Sequence, residues 1–309
     1  MSCIVKDFDL KVYKSFTGYE NYFNMTGLKN KLLFRREILH QDSDTDFILS
    51  DISDNNDCDI ISSHKDPLWS HSYEDPRFIS SNIFTFSMAY FNSEDTELIG
   101  CKMGYYNIKN KQLEIYNCNK KEWEKNWQIV NRRIVYMLEP LQIYKSTYEE
   151  YNVQRANKKW DIWKAKFGIP RLSTNIFNLQ NKKYAIFHSK KVEEEDKSRS
   201  KLFGIAGKLK YFCGLVEVDK DYIPISYNIK PLLPSFDKFN LEQRKEYVEW
   251  RSRTNSTWTV DVFFPQNVEE SRNSIKIYGG INDCNAVKLT IEKNYLVNQL
   301  RKEDFINLQ

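Results

Sequence analysis

Hydrophobic and polar positions alternate or cluster in short runs of strand length from the first part of the chain to the last. In the first half these are "KLLFRREIL" at 31–39, "TDFILSDIS" at 45–53, "NIFTFSMAYF" at 82–91, "ELIGCKMGYY" at 97–106, "KQLEIYNC" at 111–118 and "RRIVYMLEPLQIY" at 132–144. The second half continues with "KKYAIFHSKKV" at 182–192, "KLKYFCGLVEV" at 208–218, "STWTVDVFF" at 256–264, "SIKIYGG" at 274–280 and "NAVKLTIEKNYL" at 285–296. Turn-forming segments such as "NIKNK", "LQNKK" and "VDKDY" separate them. Helical signals are few. "NLEQRKEYVEWRSR" at 240–253 is the clearest, while 149–167 fits either a helix with Trp160 and Trp163 on one face or a decorated strand.

Many short strands with one or two helical insertions predict an all-β chain, as a sandwich, a barrel or a propeller. A propeller blade of four strands with its turns takes about 40–60 residues, so five blades would use the whole length. No clean internal repeat marks the blades, and no compositional break divides the chain. Residues 1–309 therefore read as a single domain.

Charge and composition remove several function classes. Lys and Arg total 46 against 42 Asp and Glu with the signs interspersed, which leaves no basic face for a nucleic-acid partner. No run of apolar residues is long enough to span a membrane, and the N-terminal stretch lacks the apolar centre of a signal peptide. Cys3, Cys58, Cys101, Cys118, Cys213 and Cys284 are widely spaced without a C-x-x-C pair, so buried, reduced thiols in a cytoplasmic protein are expected, with no metal. Nothing in the sequence sets an oligomeric state.

Four segments combine charge with a strand context. In "LFRRE" the strand alternation sends Arg35 and Arg36 to opposite faces, so one is directed inward and needs an anionic partner, unless the strand lies at an edge. "HSYEDPRFI" gathers Glu74, Asp75 and Arg77 around Pro76, which restricts Asp75 to extended backbone; a solvated turn and a sugar-gripping edge both fit. In "EWEKNWQIV", Lys125 and Asn126 stand between Trp123 and Trp127, as suits an anionic sugar group or a solvated interface. "IYGGINDCNAV" pairs Gly279 and Gly280, which allow positive φ or close backbone approach, with Asp283 in the next turn. His188 ends a strand and faces either core or cavity.

In chain order, Asn24 in "YFN", then "LFRRE", "YEDPRFI", "EKNW", "YAIFHS" and "IYGGINDCNAV" resemble the motif series of glycoside hydrolase family 130. That family comprises β-mannoside phosphorylases and hydrolases, with related mannosyltransferases. The resemblance runs from residue 24 to about 295 and is thin between motifs. It implies a five-bladed β-propeller acting on a mannose-like sugar, and it implies an inverting reaction with no cofactor beyond a phosphate or sugar phosphate as substrate. The partner it implies is a carbohydrate, as a sugar phosphate or nucleotide sugar. By this resemblance Arg35 and Lys125 are phosphate contacts, and His188 is a phosphate or sugar contact. Asp75 and Arg77 are ligands of the sugar in the central pocket, and Asp283 is a pocket carboxylate near the final blade. Asn24, Arg36, Glu74 and Asn126 stand beside them in the motifs as further candidate substrate-binding residues.

One departure bears on catalysis. The family keeps its proton-donor aspartate at the end of the strand after E-D-P-R, and this chain reads "FSMAYFNSED" there. Phe91 or Asn92 takes that place, with Glu94 and Asp95 shortly after. Either Glu94 or Asp95 supplies the proton from a shifted loop, or the protein runs sugar transfer with another base, or it binds sugar without catalysis; Asp75, Glu94 and Asp95 are the candidate catalytic residues.

Overall fold

The computed structural model describes residues 3–17, 20–38, 45–51, 57–61, 71–91, 98–116, 127–130, 133–145, 150–153, 156–193, 208–236, 260–261 and 263–309, with Phe239 and Glu246. Their strands form the five blades of a β-propeller. The first blade consists of Glu20–Leu28, Lys31–Ile38, Thr45–Asp51 and Asp57–Ile61, all antiparallel. The second follows as His71–Ser80, Ile83–Phe91, Leu98–Asn107 and Gln112–Ile115. The third is Gln128–Val130, Arg133–Leu138, Leu141–Lys145 and Glu150–Val153. In the fourth, Arg171–Leu172 and Phe177–Leu179 both pair with Lys182–Glu193, which is followed by Lys208–Val218 and Pro224–Asn228.

The fifth blade takes strands from both ends of the chain. Phe263–Glu270, Ser274–Ile281 and Asn285–Glu292 are consecutive, and Asp9–Ser15 pairs with the last of them as the outer strand. The C-terminal Phe305–Asn307 instead joins the outer edge of the fourth blade beside Pro224–Asn228.

Each blade alternates side chains between its two faces, so it buries apolar residues against both neighbours. A buried cluster accordingly sits at every blade junction. Leu33, Phe47, Phe84 and Phe86 lie between the first and second blades, and Met103, Trp127 and Ile134 between the second and third. Ile143, Trp163, Phe187 and Val216 lie between the third and fourth; Ile186, Leu215, Ile277 and Leu289 lie between the fourth and fifth. Tyr22, Phe34, Tyr278 and Ala286 complete the ring between the fifth and first.

The ambiguous stretch at 149–167 divides: Glu150–Val153 is strand, and Trp160 ends a short 3-10 turn that leads into the helix Asp161–Phe167. The helix ends at Gly168, whose φ of 90° and contact with the Lys190 carbonyl exclude a side chain. Two other expected runs are corrected. The run at 132–144 divides, with Arg133–Leu138 and Leu141–Lys145 forming a hairpin, because Glu139 and Pro140 make the turn. The strand at 285 stops at Glu292, and the polar-rich Lys293–Gln299 becomes a helix that buries only Leu296. The helix expected at 240–253 lies outside the described residues except for Glu246. No helix among the described residues is long and apolar enough to cross a membrane.

Trp163 is fully buried, edge-on to Phe187, and donates its indole N–H to Ser189 Oγ at 3.0 Å. Trp163→Ala is expected to lower the unfolding free energy by about 3–5 kcal/mol in urea denaturation. A loss below about 1 kcal/mol would show that the helix is not docked on the fourth blade.

Candidate active site

The first strands of the first, second and fifth blades touch one another at the centre, and each carries one extra residue there. Register shifts fall between Phe23 and Thr26, between Glu74 and Arg77, and between Pro265 and Asn267. The first two bulges contain residues with left-handed backbone, Asn24 at φ 50° and Asp75 at φ 52°. The extended geometry expected of Asp75 before Pro76 is thus corrected: the bulge overrides the local preference. Asp75 is buried, and its Oδ1 accepts from Asn24 Nδ2 at 2.9 Å and from Gln266 Nε2 at 3.4 Å.

Asn24 and Asp75 form one wall of a cavity of about 230 Å³, with Gln266 behind them. Arg35 and Glu74 line it from the first and second blades, and Asp283 from the hairpin turn of the fifth. Arg35 lies 4.4 Å from the Phe23 ring centroid and donates to Glu74 Oε1 at 3.1 Å, so the guanidinium is both stacked and partly neutralised. The positive φ expected near the paired glycines falls instead on Asn282 and Asp283. Gly279 and Gly280 serve close approach: a Cβ on the first would meet the Phe264 carbonyl at 2.3 Å, and one on the second the Asn24 Oδ1 at 2.6 Å.

The fourth blade supplies the opposite kind of surface, an aromatic and cationic one. Its register places Arg171 across from His188 and Lys190 across from Tyr211, and strand alternation turns His188 and Lys190 to the same face. All four line the cavity with Phe264 of the fifth blade and Ile169, which is 55% exposed. His188 is buried below, whereas Arg171 and Lys190 are exposed. The imidazole stacks on Tyr211 at 5.9 Å, packs on Phe264 at 4.6 Å, and pairs through Nδ1 with Ser173 Oγ at 2.5 Å.

Burial, reinforced by Arg77, Arg171 and Lys190, holds the His188 pKa well below its ordinary 6.5, so the ring is neutral at neutral pH. Burial and the Asp283 and Asp75 carboxylates push the Tyr211 phenol upward, so it keeps its proton. The cavity therefore offers Arg35, Arg171 and Lys190 as cations; Glu74, Asp75 and Asp283 as carboxylates; and two uncharged ring donors or acceptors. Among the described residues no three His, Cys, Asp or Glu side chains group as a metal site.

The structure brings Asn24, Arg35, Glu74, Asp75, His188 and Asp283 together from the sequence-predicted set. Arg36 is on the opposite face of its strand, bound to Glu20 at 3.1 Å and Asp46 at 2.9 Å, as alternation with Arg35 requires. Arg77 is not at the cavity surface: it is 1% exposed and donates its Nε to the Ser173 carbonyl at 3.1 Å, beneath His188. Glu94, Asp95, Lys125 and Asn126 lie outside the described residues. Sequence reasoning missed Arg171, Lys190, Tyr211 and Phe264. The signal for Lys190 was present, because it stands two positions after His188 on a strand; the others needed the register.

The sequence matches no family model and no curated protein. Among solved structures, the fold is similar to that of MPT-1, a GDP-Man-dependent mannosyltransferase from Leishmania mexicana. The TM-score is 0.52 and the identity 10%, over 92% of this chain and 89% of that one. It is also similar to a member of the GH130 family of mannoside phosphorylases, whose glycoside hydrolases target β-1,2 mannosidic linkages in Candida mannan. There the TM-score is 0.50 and the identity 11%, over 88% and 84% of the two chains. At such identities the likeness is one of fold, and the fold is that of the family whose motifs this sequence resembles.

The buried neutral imidazole has a consequence for stability. The unfolded chain protonates His188 near pH 6.5 and the folded chain does so only at much lower pH, so the unfolded state binds more protons as pH falls. Stability is expected to decline below about pH 6.5, with His188 contributing up to about 1.4 kcal/mol per pH unit. His188→Gln should flatten that acid limb in urea unfolding curves taken between about pH 7 and pH 5. A variant curve parallel to wild type would show that the folded imidazole is charged.

Proposed function

We propose that the protein is a carbohydrate-active enzyme that transfers a mannose-like sugar to or from phosphate in the central cavity, with inversion at the anomeric carbon. The observation that carries this reading is the placement of a fixed, buried Asp75 carboxylate in the same cavity as three cationic side chains. A pyranose supplies hydroxyls that donate to Asp75, Glu74 and Asp283, and a phosphate supplies negative charge to Arg35, Arg171 and Lys190. His188, neutral and held at Nδ1 by Ser173, offers its other ring nitrogen to a hydroxyl or phosphate oxygen without adding charge.

In phosphorolysis a phosphate oxygen forms a bond to the anomeric carbon as the glycosidic bond breaks on the opposite face. The leaving oxygen takes its proton from a single acid. Arg35, Arg171 and Lys190 hold the phosphate in place and offset its charge in a partly desolvated site. The reverse reaction moves the sugar from its phosphate to an acceptor through the same groups. Glu94 or Asp95 is the acid in this scheme. The mannose preference and the role of phosphate rest on the motif resemblance together with the shared fold of the two mannose-handling proteins.

A second reading is a sugar-binding propeller without turnover, favoured by Phe91 and Asn92 at the place where the family keeps its proton donor. One set of measurements separates the two. Wild type should bind mannose 1-phosphate in calorimetry, and with phosphate it should release mannose 1-phosphate from β-linked manno-oligosaccharides. Asp75→Asn should weaken binding at least about tenfold, because a buried acceptor becomes a mismatched amide. Glu94→Gln or Asp95→Asn should cut the rate far more than the affinity. Binding with no turnover in wild type selects the second reading, and no binding of either sugar ligand overturns both.

A further inference from the structure

The centre of the molecule joins three of these motif residues, Asn24, Asp75 and Gly280, with Gln266, which no motif contains. Three separate blades each insert one extra residue at the same level of their innermost strands, and those insertions meet on one carboxylate oxygen. Asn24 reaches Asp75 Oδ1 from the first blade and Gln266 reaches it from the fifth, while Asp75 sits in the bulge of the second. Both Asn24 and Asp75 adopt left-handed backbone, which costs about 1 kcal/mol or more for residues with a side chain unless the surroundings enforce it.

What enforces it is visible at Gly280. A Cβ there would lie 2.6 Å from Asn24 Oδ1, 2.8 Å from Asn24 N and 3.3 Å from Asn24 Cα, so the fifth blade presses bare backbone against the Asn24 bulge. Asn24 Oδ1 is buried with no hydrogen-bond partner among the described residues, which leaves Nδ2 as the working end of that amide.

We propose that Asn24, Gln266 and Gly280 are positioning residues for Asp75. They occupy Oδ1 with two amide donors and thereby dedicate Oδ2 to the ligand in the cavity. Asn24 then acts through Asp75 rather than as a sugar ligand in its own right. Asp75 serves as a fixed acceptor for a sugar hydroxyl, and its aim is set jointly by three blades. The choice of residues follows from chemistry. A carboxylate at position 24 would repel Asp75, and any side chain at 280 would push the bulge away.

This inference rests on the sugar-binding reading of the cavity, so its test carries a readout that needs no ligand. The variants are Asn24→Gly, which keeps the left-handed backbone and deletes the amide, Gln266→Ala and Gly280→Ala. Each is measured by calorimetry with mannose 1-phosphate and separately with inorganic phosphate, alongside thermal melting and a crystal structure of Asn24→Gly. Expected is about a tenfold loss for mannose 1-phosphate in Asn24→Gly and Gly280→Ala, a smaller loss in Gln266→Ala, and phosphate affinity within about twofold of wild type. In the Asn24→Gly crystal the Asp75 carboxylate should rotate away from its wild-type position. Wild-type affinity for mannose 1-phosphate in Asn24→Gly, in a protein whose Asp75→Asn variant is impaired, overturns the proposal. If wild type binds no sugar phosphate at all, the sugar reading fails and the crystal decides alone. A displaced Asp75 then upholds the positioning role, and an unmoved one overturns it. Should Gly280→Ala fail to fold, Asn24→Gly carries the same comparison.

Discussion

A β-sheet with two apolar faces has to be covered on both, and in this protein each blade is covered mainly by its neighbours. Five sheets satisfy that requirement by closing into a ring, with a separate buried cluster at every junction. The same geometry dictates where packing must stop. Innermost strands converge on the axis with too little room for a layered apolar core, and those of the first, second and fifth blades meet there through polar side chains. Polar and charged residues are tolerated there because they can pair with one another and with solvent. The cavity is thus the place that the ring leaves unpacked, and the residues lining it are those freed from core duty.

The fourth blade shows how sharply that boundary is drawn. Along Lys182–Glu193, Tyr184 and Ile186 belong to the core shared with the fifth blade, and the next two residues on the same face, His188 and Lys190, line the cavity. Two steps of strand separate a fully buried isoleucine from an exposed lysine. His188 stands at the transition, and its neutral ring follows from that position: it is deep enough to lose hydration and close enough to Arg77, Arg171 and Lys190 to be denied a proton. The cavity consequently grades from buried acceptors and aromatic rings to cations in solvent, a pattern suited to a ligand with a neutral ring and one charged group.

Much of this could be read from the chain. The strand runs at 31–39, 45–53, 82–91, 182–192 and 208–218 match observed strands closely, since period-2 alternation reports burial directly. The split of Arg35 and Arg36 between two faces followed from the same rule. Non-local register was not legible. Nothing in "PRLSTN" announces that Arg171 will lie opposite His188, or that Tyr211 will lie opposite Lys190. The sequence was also misleading at Asp75. Pro76 argues for extended backbone, yet the extra residue that the innermost strand of the second blade shares with those of the first and fifth prevails and turns Asp75 left-handed. Nor was the depth of Arg77 legible: the motif presents it as a charged candidate ligand, and the fold buries its guanidinium, which donates to the Ser173 carbonyl.

The outer strand of the fifth blade also governs the order in which the molecule can assemble. Asp9–Ser15 is made among the first segments of the chain, but its partner Asn285–Glu292 is made near the last. During synthesis that early strand has to wait unpaired while four blades are completed, with alternating side chains and an open hydrogen-bonding edge. The contact between these two strands is far-reaching in sequence, which makes that pairing a late and slow event. The central cavity takes its walls from the first, second, fourth and fifth blades, so it is complete only once the fifth blade has packed against the first.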